Sequence, residues 1–264
     1  MNKKEKKAYE FLESIYKTYN CLDYIKTDPI RFPHELEGNK EFIAFTASAF
    51  AYGNMKALQK NLFNYFETVG TDPFNLDCQV HDKLYYRFQT KEDVASYSNL
   101  MKKIYNEYGS LENLFKAANV YSVSSIDNGM KLLRSHIENI TNGLNFLLPV
   151  PGNSATKRIY MFLRWMVRKD DVDFGVWEYF DKTTLLMPAD THILRMANKL
   201  GIIGENEKGK KAVEKVTDFF RRLNPQDPAK YDFALTRLGI VLGCQYSESD
   251  KCLNCNEFSH CIFK

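Results

Sequence analysis

Four of the six cysteines in this chain fall in one short stretch near its end: Cys244, Cys252, Cys255 and Cys261, spaced C-x7-C-x2-C-x5-C. Thiols this close together suit a soft-metal centre. Four sulfurs converge on one point there, and a C-x2-C pair closes a tight turn around the metal. A [4Fe–4S] cluster is the leading reading and a four-cysteine zinc site the second, because spacing separates the two only weakly. Disulfides fit less well. The N-terminus is charged and has no apolar signal-peptide segment, which points to a reducing cytoplasm where clustered cysteines read as metal or redox ligands. Cys21 and Cys78 stand alone and read as small buried apolar residues.

Two further stretches carry residue types able to do chemistry. Pro149–Val150–Pro151–Gly152–Asn153–Ser154 is a Pro/Gly turn between two helices. The free N–H groups of a new helix N-terminus beside a glycine suit a phosphate oxygen, although taken alone the stretch is better read as an ordinary helix–helix turn. In the helix expected over 155–168, Lys157, Arg164 and Arg168 are seven and four residues apart. At about 100° per residue they fall within roughly 40° of one another around the axis. The spacing predicts a cationic stripe opposite an apolar face, and its start at the turn favours nucleic acid. Farther on, Asp190 makes a good helix N-cap and Gly201 a good stop, and capping accounts for both.

The elements that must position these residues read as helices almost throughout. Residues 3–19 carry apolar positions at helical spacing, and Thr27–Asp28–Pro29 and Phe32–Pro33 then break the pattern. Phe42–Ala51 is apolar nearly all round and predicts a buried central helix ending at Gly53. Met55–Phe66, a run from a Thr90 cap to Gly109, Ser110–Lys116, Ile126–Ile140 and Phe233–Gly239 complete the expected set. There is no strand-rich region, internal repeat or low-complexity linker, so the fold class is all-α. At 264 residues with 44% hydrophobic and 14% aromatic content, the chain can bury one substantial core or two modest lobes. No apolar run is long enough to cross a membrane, so no membrane partner is expected. A net charge of +3 permits a local nucleic-acid patch without requiring one.

The order of these features resembles the helix-hairpin-helix DNA glycosylases of the endonuclease III type. The family has a Leu-Pro-Gly-Val-Gly hairpin that grips the DNA backbone, a Val-Asp-Thr-His segment supplying the catalytic aspartate, and a C-x6-C-x2-C-x5-C tail holding a [4Fe–4S] cluster. Pro151–Gly152, Asp190–Thr191–His192 and the four cysteines stand in the same order here. The likeness is good over roughly residues 145–264. The phrases Phe162–Leu163–Arg164–Trp165 and Lys230–Tyr231–Asp232–Phe233–Ala234–Leu235 are similar to a bacterial branch of the superfamily that carries a domain-of-unknown-function label. There are departures. The second hairpin glycine is Ser154, the first cysteine gap is seven rather than six, and an insertion spans about Val172–Thr184. The position of the family's lyase-type lysine is Thr156, and Lys157 is one residue late.

The resemblance implies a two-lobed helix-hairpin-helix fold with a C-terminal four-cysteine metal loop. Residues 36–183 would form the central lobe, and residues 1–35 plus 184–264 the second. The implied activity is N-glycosylase chemistry of base-excision repair on double-stranded DNA, by a monomer. Asp190 would be the catalytic charge, with Thr156 at the nucleophile position, hence a monofunctional enzyme, and Lys157 as the rival. Gly152, Asn153, Ser154, Lys157, Arg164 and Arg168 would hold DNA. Tyr52, Asn54, Tyr86, Arg87 and Phe88 would line a base pocket, although core packing is the better reading of the run that holds the last three. The metal centre would be structural, with Lys251 beside it. A DNA-binding protein without base chemistry, holding a structural Fe–S or zinc centre, is the alternative. An electron-carrying Fe–S protein is a third.

Overall fold

The computed structural model describes residues 2–152, 156–250, 252, 255, 257 and 261–263. The fold is all-α. Among the described residues there is no strand, only isolated bridges such as Tyr86 with Gln89. No described helix is long and apolar enough to cross a membrane.

The chain divides into two compact units. One comprises residues 1–25, 153–176 and 181–264, and the other residues 26–152 and 177–180. The first begins with α1 (Lys3–Tyr19), where Asn2 and Glu5 form a reciprocal capping box and Phe11, Leu12, Ile15 and Tyr19 face inward.

The second unit holds α2 (Arg31–Glu35), α3 (Lys40–Ala49), α4 (Met55–Val69), α5 (Lys91–Tyr108), α6 (Leu111–Ala117), α7 (Ile126–Ser135) and α8 (Asn142–Leu147). As its sequence predicts, α3 is the core helix, buried from Phe42 to Ala49. Thr90 caps α5 with Asp93 in a capping box, and Gly109 ends it in the left-handed region. The α6 start is held by Glu41, whose carboxylate accepts from the amides of Leu111 and Glu112 at 2.8 and 2.9 Å. A carboxylate there satisfies orphan donors and opposes the helix dipole. Glu41 also accepts from the Tyr105 hydroxyl at 2.6 Å and from Trp177 Nε1 at 2.7 Å. Trp177 lies in the expected insertion, so that insertion contributes a buried core residue to this unit. Helix α7 ends at Ser135, not Ile140, and His136 Nδ1 lies 2.9 Å from Leu132 O in its last turn.

The rest of the first unit is α9 (Lys157–Val167), α10 (Thr191–Lys199), α11 (Gly209–Leu223) and α12 (Asp232–Ile240). Helix α11 buries Ala212, Val213, Val216, Thr217, Phe220 and Leu223 along one stripe. Sequence reading passed over it because Lys208 offers no side-chain cap and lysines crowd its first turn, although the apolar spacing is clear.

The division differs from the expected one in three places, and two are small: residues 26–35 group with the central unit and residues 181–183 with the terminal one. Residues 153–176 group with the terminal unit, not with the central lobe. The reason lies on α9. Arg164 and Arg168, expected on a solvent-facing cationic stripe, are each 2% exposed. Arg164 pairs with Asp173 at 3.2 Å and with Asp232. Arg168 pairs with Asp227 and Asp170, each at 2.9 Å, and with Asp173. The two guanidiniums fasten α9 to the start of α12 and to the segments before α12 and after α9. The 40° arc was read correctly, but it faces carboxylates inside the unit. Guanidiniums buried this deeply and paired in this way are structural, and the assignment of Arg164 and Arg168 to a DNA-binding stripe is corrected accordingly.

Candidate active site and cysteine loop

Asp190 stands at the start of α10 with an extended backbone, φ −89° and ψ −175°. Its Oδ1 accepts from the amides of His192 and Ile193, both at 2.9 Å, as expected of an N-cap. Its Oδ2 lies 3.5 Å from Lys157 Nζ. One carboxylate therefore does two jobs, with one oxygen committed to the helix and the other to an ammonium. Lys157 opens α9 and its side chain is partly exposed. It had been expected to turn toward a basic stripe and meet phosphate. That stripe is inside the unit, and Lys157 instead meets Asp190. Thr156 is buried at the N-cap of α9 in the left-handed region, φ 31°, and makes no side-chain cap bond.

The start of α10 is seated on α12. At Gly239 an added Cβ would stand 2.1 Å from His192 Nδ1 and 2.8 Å from the Tyr246 hydroxyl, so only glycine fits. The His192 ring meets the buried Tyr246 ring edge-on, 6.4 Å between centroids. Tyr246 in turn stands in the cysteine loop. The sequence showed the Asp-Thr-His order but gave no sign that its histidine packs against a glycine forty-seven residues away.

The expected phosphate-binding turn is visible only in part. Asn153 and Ser154 lie outside the described residues. Gly152 has φ 49°, and its amide donates to Asp127 Oδ1 at 3.3 Å. A carboxylate thus sits where a phosphate oxygen was expected. Asp127 is in the first turn of α7, and nothing in the local sequence joins it to the turn.

None of the six cysteines is in a disulfide. Cys244, Cys252, Cys255 and Cys261 are each partly buried. Burial pushes the Cys244 thiol up, and so do the sulfurs of Cys261, Cys252 and Cys255, while the Tyr246 amide pulls it down. Amides two residues on donate to two of the sulfurs, Tyr246 N to Cys244 at 3.3 Å and Phe263 N to Cys261 at 3.4 Å. Such bonds favour thiolates, which is the form a metal binds. Cys255 N donates to Cys252 O at 3.1 Å, closing the C-x2-C turn. Among the described residues, no group of three or more His, Cys, Asp or Glu side chains is drawn together tightly enough to hold an ion. The donor chemistry of four thiols fits a soft metal. Lys251 lies outside the described residues.

The aromatic–basic residues expected to line a base pocket do come together, all within the second unit. Tyr86 N donates to Gln89 O at 3.1 Å and Gln89 N to Tyr86 O at 3.0 Å, closing a two-residue hairpin with Arg87 and Phe88 at its tip. Arg87 has φ 54° at the first tip position, where glycine is favoured, at a cost of about 1–3 kcal/mol. Tyr86 is buried, and its hydroxyl donates to Tyr52 O at 2.6 Å. The Tyr52 hydroxyl donates to Gln89 Oε1. Phe146, which sequence reading missed, joins the cluster from α8, its ring 4.9 Å from Tyr52 and 4.7 Å from Phe88. Asn54 instead caps α4, accepting from the amides of Lys56 and Ala57.

No match was found among curated proteins, and none among solved structures. The family model described as "Protein of unknown function (DUF2400)" matches residues 28–241, a span that contains the aromatic hairpin and the Lys157–Asp190 pair, and the chain belongs to that family.

Proposed function

We propose that this chain is a DNA N-glycosylase of the helix-hairpin-helix type, cleaving a base–sugar bond in duplex DNA. The observation that carries the reading is the Lys157–Asp190 pair. An aspartate capping an Asp-Thr-His helix start keeps one oxygen for chemistry, and an amine stands 3.5 Å from it. As the base leaves, the sugar develops oxocarbenium character. A fixed carboxylate stabilises that charge and can align or deprotonate a water. The target base must first leave the stack. The test is release of a free base from a panel of damaged duplexes, leaving an abasic site. No release from any member, with folded protein, would remove the reading in favour of a DNA-binding protein without base chemistry.

Two modes of attack are possible at this site. Monofunctional hydrolysis follows from Thr156 at the nucleophile position. The position of Lys157 beside Asp190 favours a second reading, in which Lys157 passes a proton to Asp190, its amine attacks the sugar C1′ and the bond from C1′ to the base breaks; cleavage of the C1′–O4′ bond then opens the ring to an imine, with a proton from the nitrogen going to the ring oxygen. Borohydride decides between them, since hydride adds to an imine and leaves a stable protein–DNA adduct. An adduct that disappears in Lys157→Ala is the result expected for the amine. Turnover without any adduct would restore the water mechanism.

We propose further that Cys244, Cys252, Cys255 and Cys261 hold one metal centre, [4Fe–4S] first and zinc second. Such a centre would hold the C-terminal loop in place. Anaerobically purified protein is expected to be brown, with iron and acid-labile sulfide, and Cys255→Ser is expected to lose both. Colourless protein with stoichiometric zinc would make it a zinc site. Metal-free protein that is fully folded would leave the cysteines without this role.

A further inference from the structure

We infer that the Tyr86–Gln89 hairpin and α8 form a stacking platform for the bases of single-stranded DNA. The site stands apart from the glycosylase reading, since it needs no damaged base and no excision. Three rings are in mutual contact. Tyr52 and Phe88 are near parallel, 24° apart and 6.1 Å between centroids, and Phe146 meets both. They are held from beneath by the Tyr86–Tyr52 and Tyr52–Gln89 hydrogen bonds, and Gln89 Nε2 donates to Gly143 O at 2.8 Å in the first turn of α8. Despite this support the outer rings are not core. Phe88 is 56% exposed and Phe146 40%, while Tyr85, next to the hairpin, is 67% exposed. A contiguous exposed aromatic surface on a rigid base marks an interaction site.

Charge at the same tip selects the occupant. The guanidinium of Arg87 lies 5.6 Å from the Phe88 ring centroid, and Arg87 is exposed. It occupies the left-handed position where glycine would be easier. At Gly53 an added Cβ would stand 2.7 Å from Arg87 Nη1, so the backbone leaves room for that guanidinium. Lys56 and Lys83, nearby in sequence, are exposed as well. An apolar protein partner would need the rings but not a cation set among them. Unpaired DNA needs both, since bases stack on rings while phosphates meet a cation beside them.

Phe88→Trp provides a direct probe, because Trp165 and Trp177 are both buried and the new indole would be the exposed one. Adding a short single-stranded thymidine oligonucleotide to this full-length variant is expected to quench the exposed emission. An abasic oligonucleotide of the same length should quench little. In fluorescence anisotropy, Phe88→Ala and Phe146→Ala are each expected to weaken oligonucleotide binding by about tenfold, and Arg87→Ala to reduce its salt dependence. Equal quenching by the abasic strand, or alanine variants that bind unchanged, would overturn the platform. So would absence of wild-type binding, which would leave the rings to a protein partner. Absence of excision by the wild-type protein with oligonucleotide binding intact would count against the glycosylase reading alone. Loss of oligonucleotide binding with excision intact would count against the platform alone.

Discussion

Asp190→Asn is expected to lower base excision by about 10²–10⁴-fold while leaving the fold and DNA affinity nearly unchanged. The separation of effects follows from the two oxygens. Oδ1 accepts two amides at the start of α10, and the asparagine carbonyl can do the same, so the cap contribution of about 1 kcal/mol is kept. Oδ2 faces Lys157, and its charge is what the substitution removes. Asp190→Ala differs, because it takes away the cap and the charge together. Excision by both variants, with urea unfolding as the stability measurement, separates the two roles. Full activity in Asp190→Asn on a confirmed substrate would reduce Asp190 to a cap.

Arg168→Ala is expected to destabilise the protein by about 3–5 kcal/mol, without the flattened salt dependence of DNA binding that a phosphate contact would give. The guanidinium is buried and faces Asp170, Asp173 and Asp227, so its removal leaves Asp170 without a cation and Asp173 with Arg164 alone in a low-dielectric interior. The same cluster has a pH signature. Burial opposes the charge of Asp170, yet Arg168 and the amides of Asp173 and Val172 hold its carboxyl down to about 2. A folded-state value below the unfolded one gives stability that is present above about pH 4 and lost as pH falls through about 2. The stability difference between wild type and Asp170→Asn should therefore shrink as pH falls below about 4. Denaturant unfolding of the arginine and aspartate variants between pH 2 and pH 7 checks both. A folded, stable Arg168→Ala would mean that the ion pairs contribute little.

Local chemistry was legible from the chain because its causes are local. Thr90 with Asp93, Gly109 and Asp190 act on backbone groups within a few residues, and each ends or starts a helix where its side-chain chemistry requires. The all-α class follows from helical periodicity, and the buried α3 from an apolar face that leaves no polar side. What periodicity cannot supply is the direction in which a face points. The arc shared by Arg164 and Arg168 reads the same whether it meets water or carboxylates. Only the return of the chain at Asp227 and Asp232 turned it into a buried network and freed Lys157 to reach Asp190. Similarly, the Asp127 carboxylate at the Gly152 amide, the seat of His192 on Gly239, and Phe146 against Tyr52 are pairings of residues far apart in sequence. Hydrogen bonds, ion pairs and ring contacts act over a few ångströms of space, so the sequence determined which groups could make them and the tertiary structure decided which ones did.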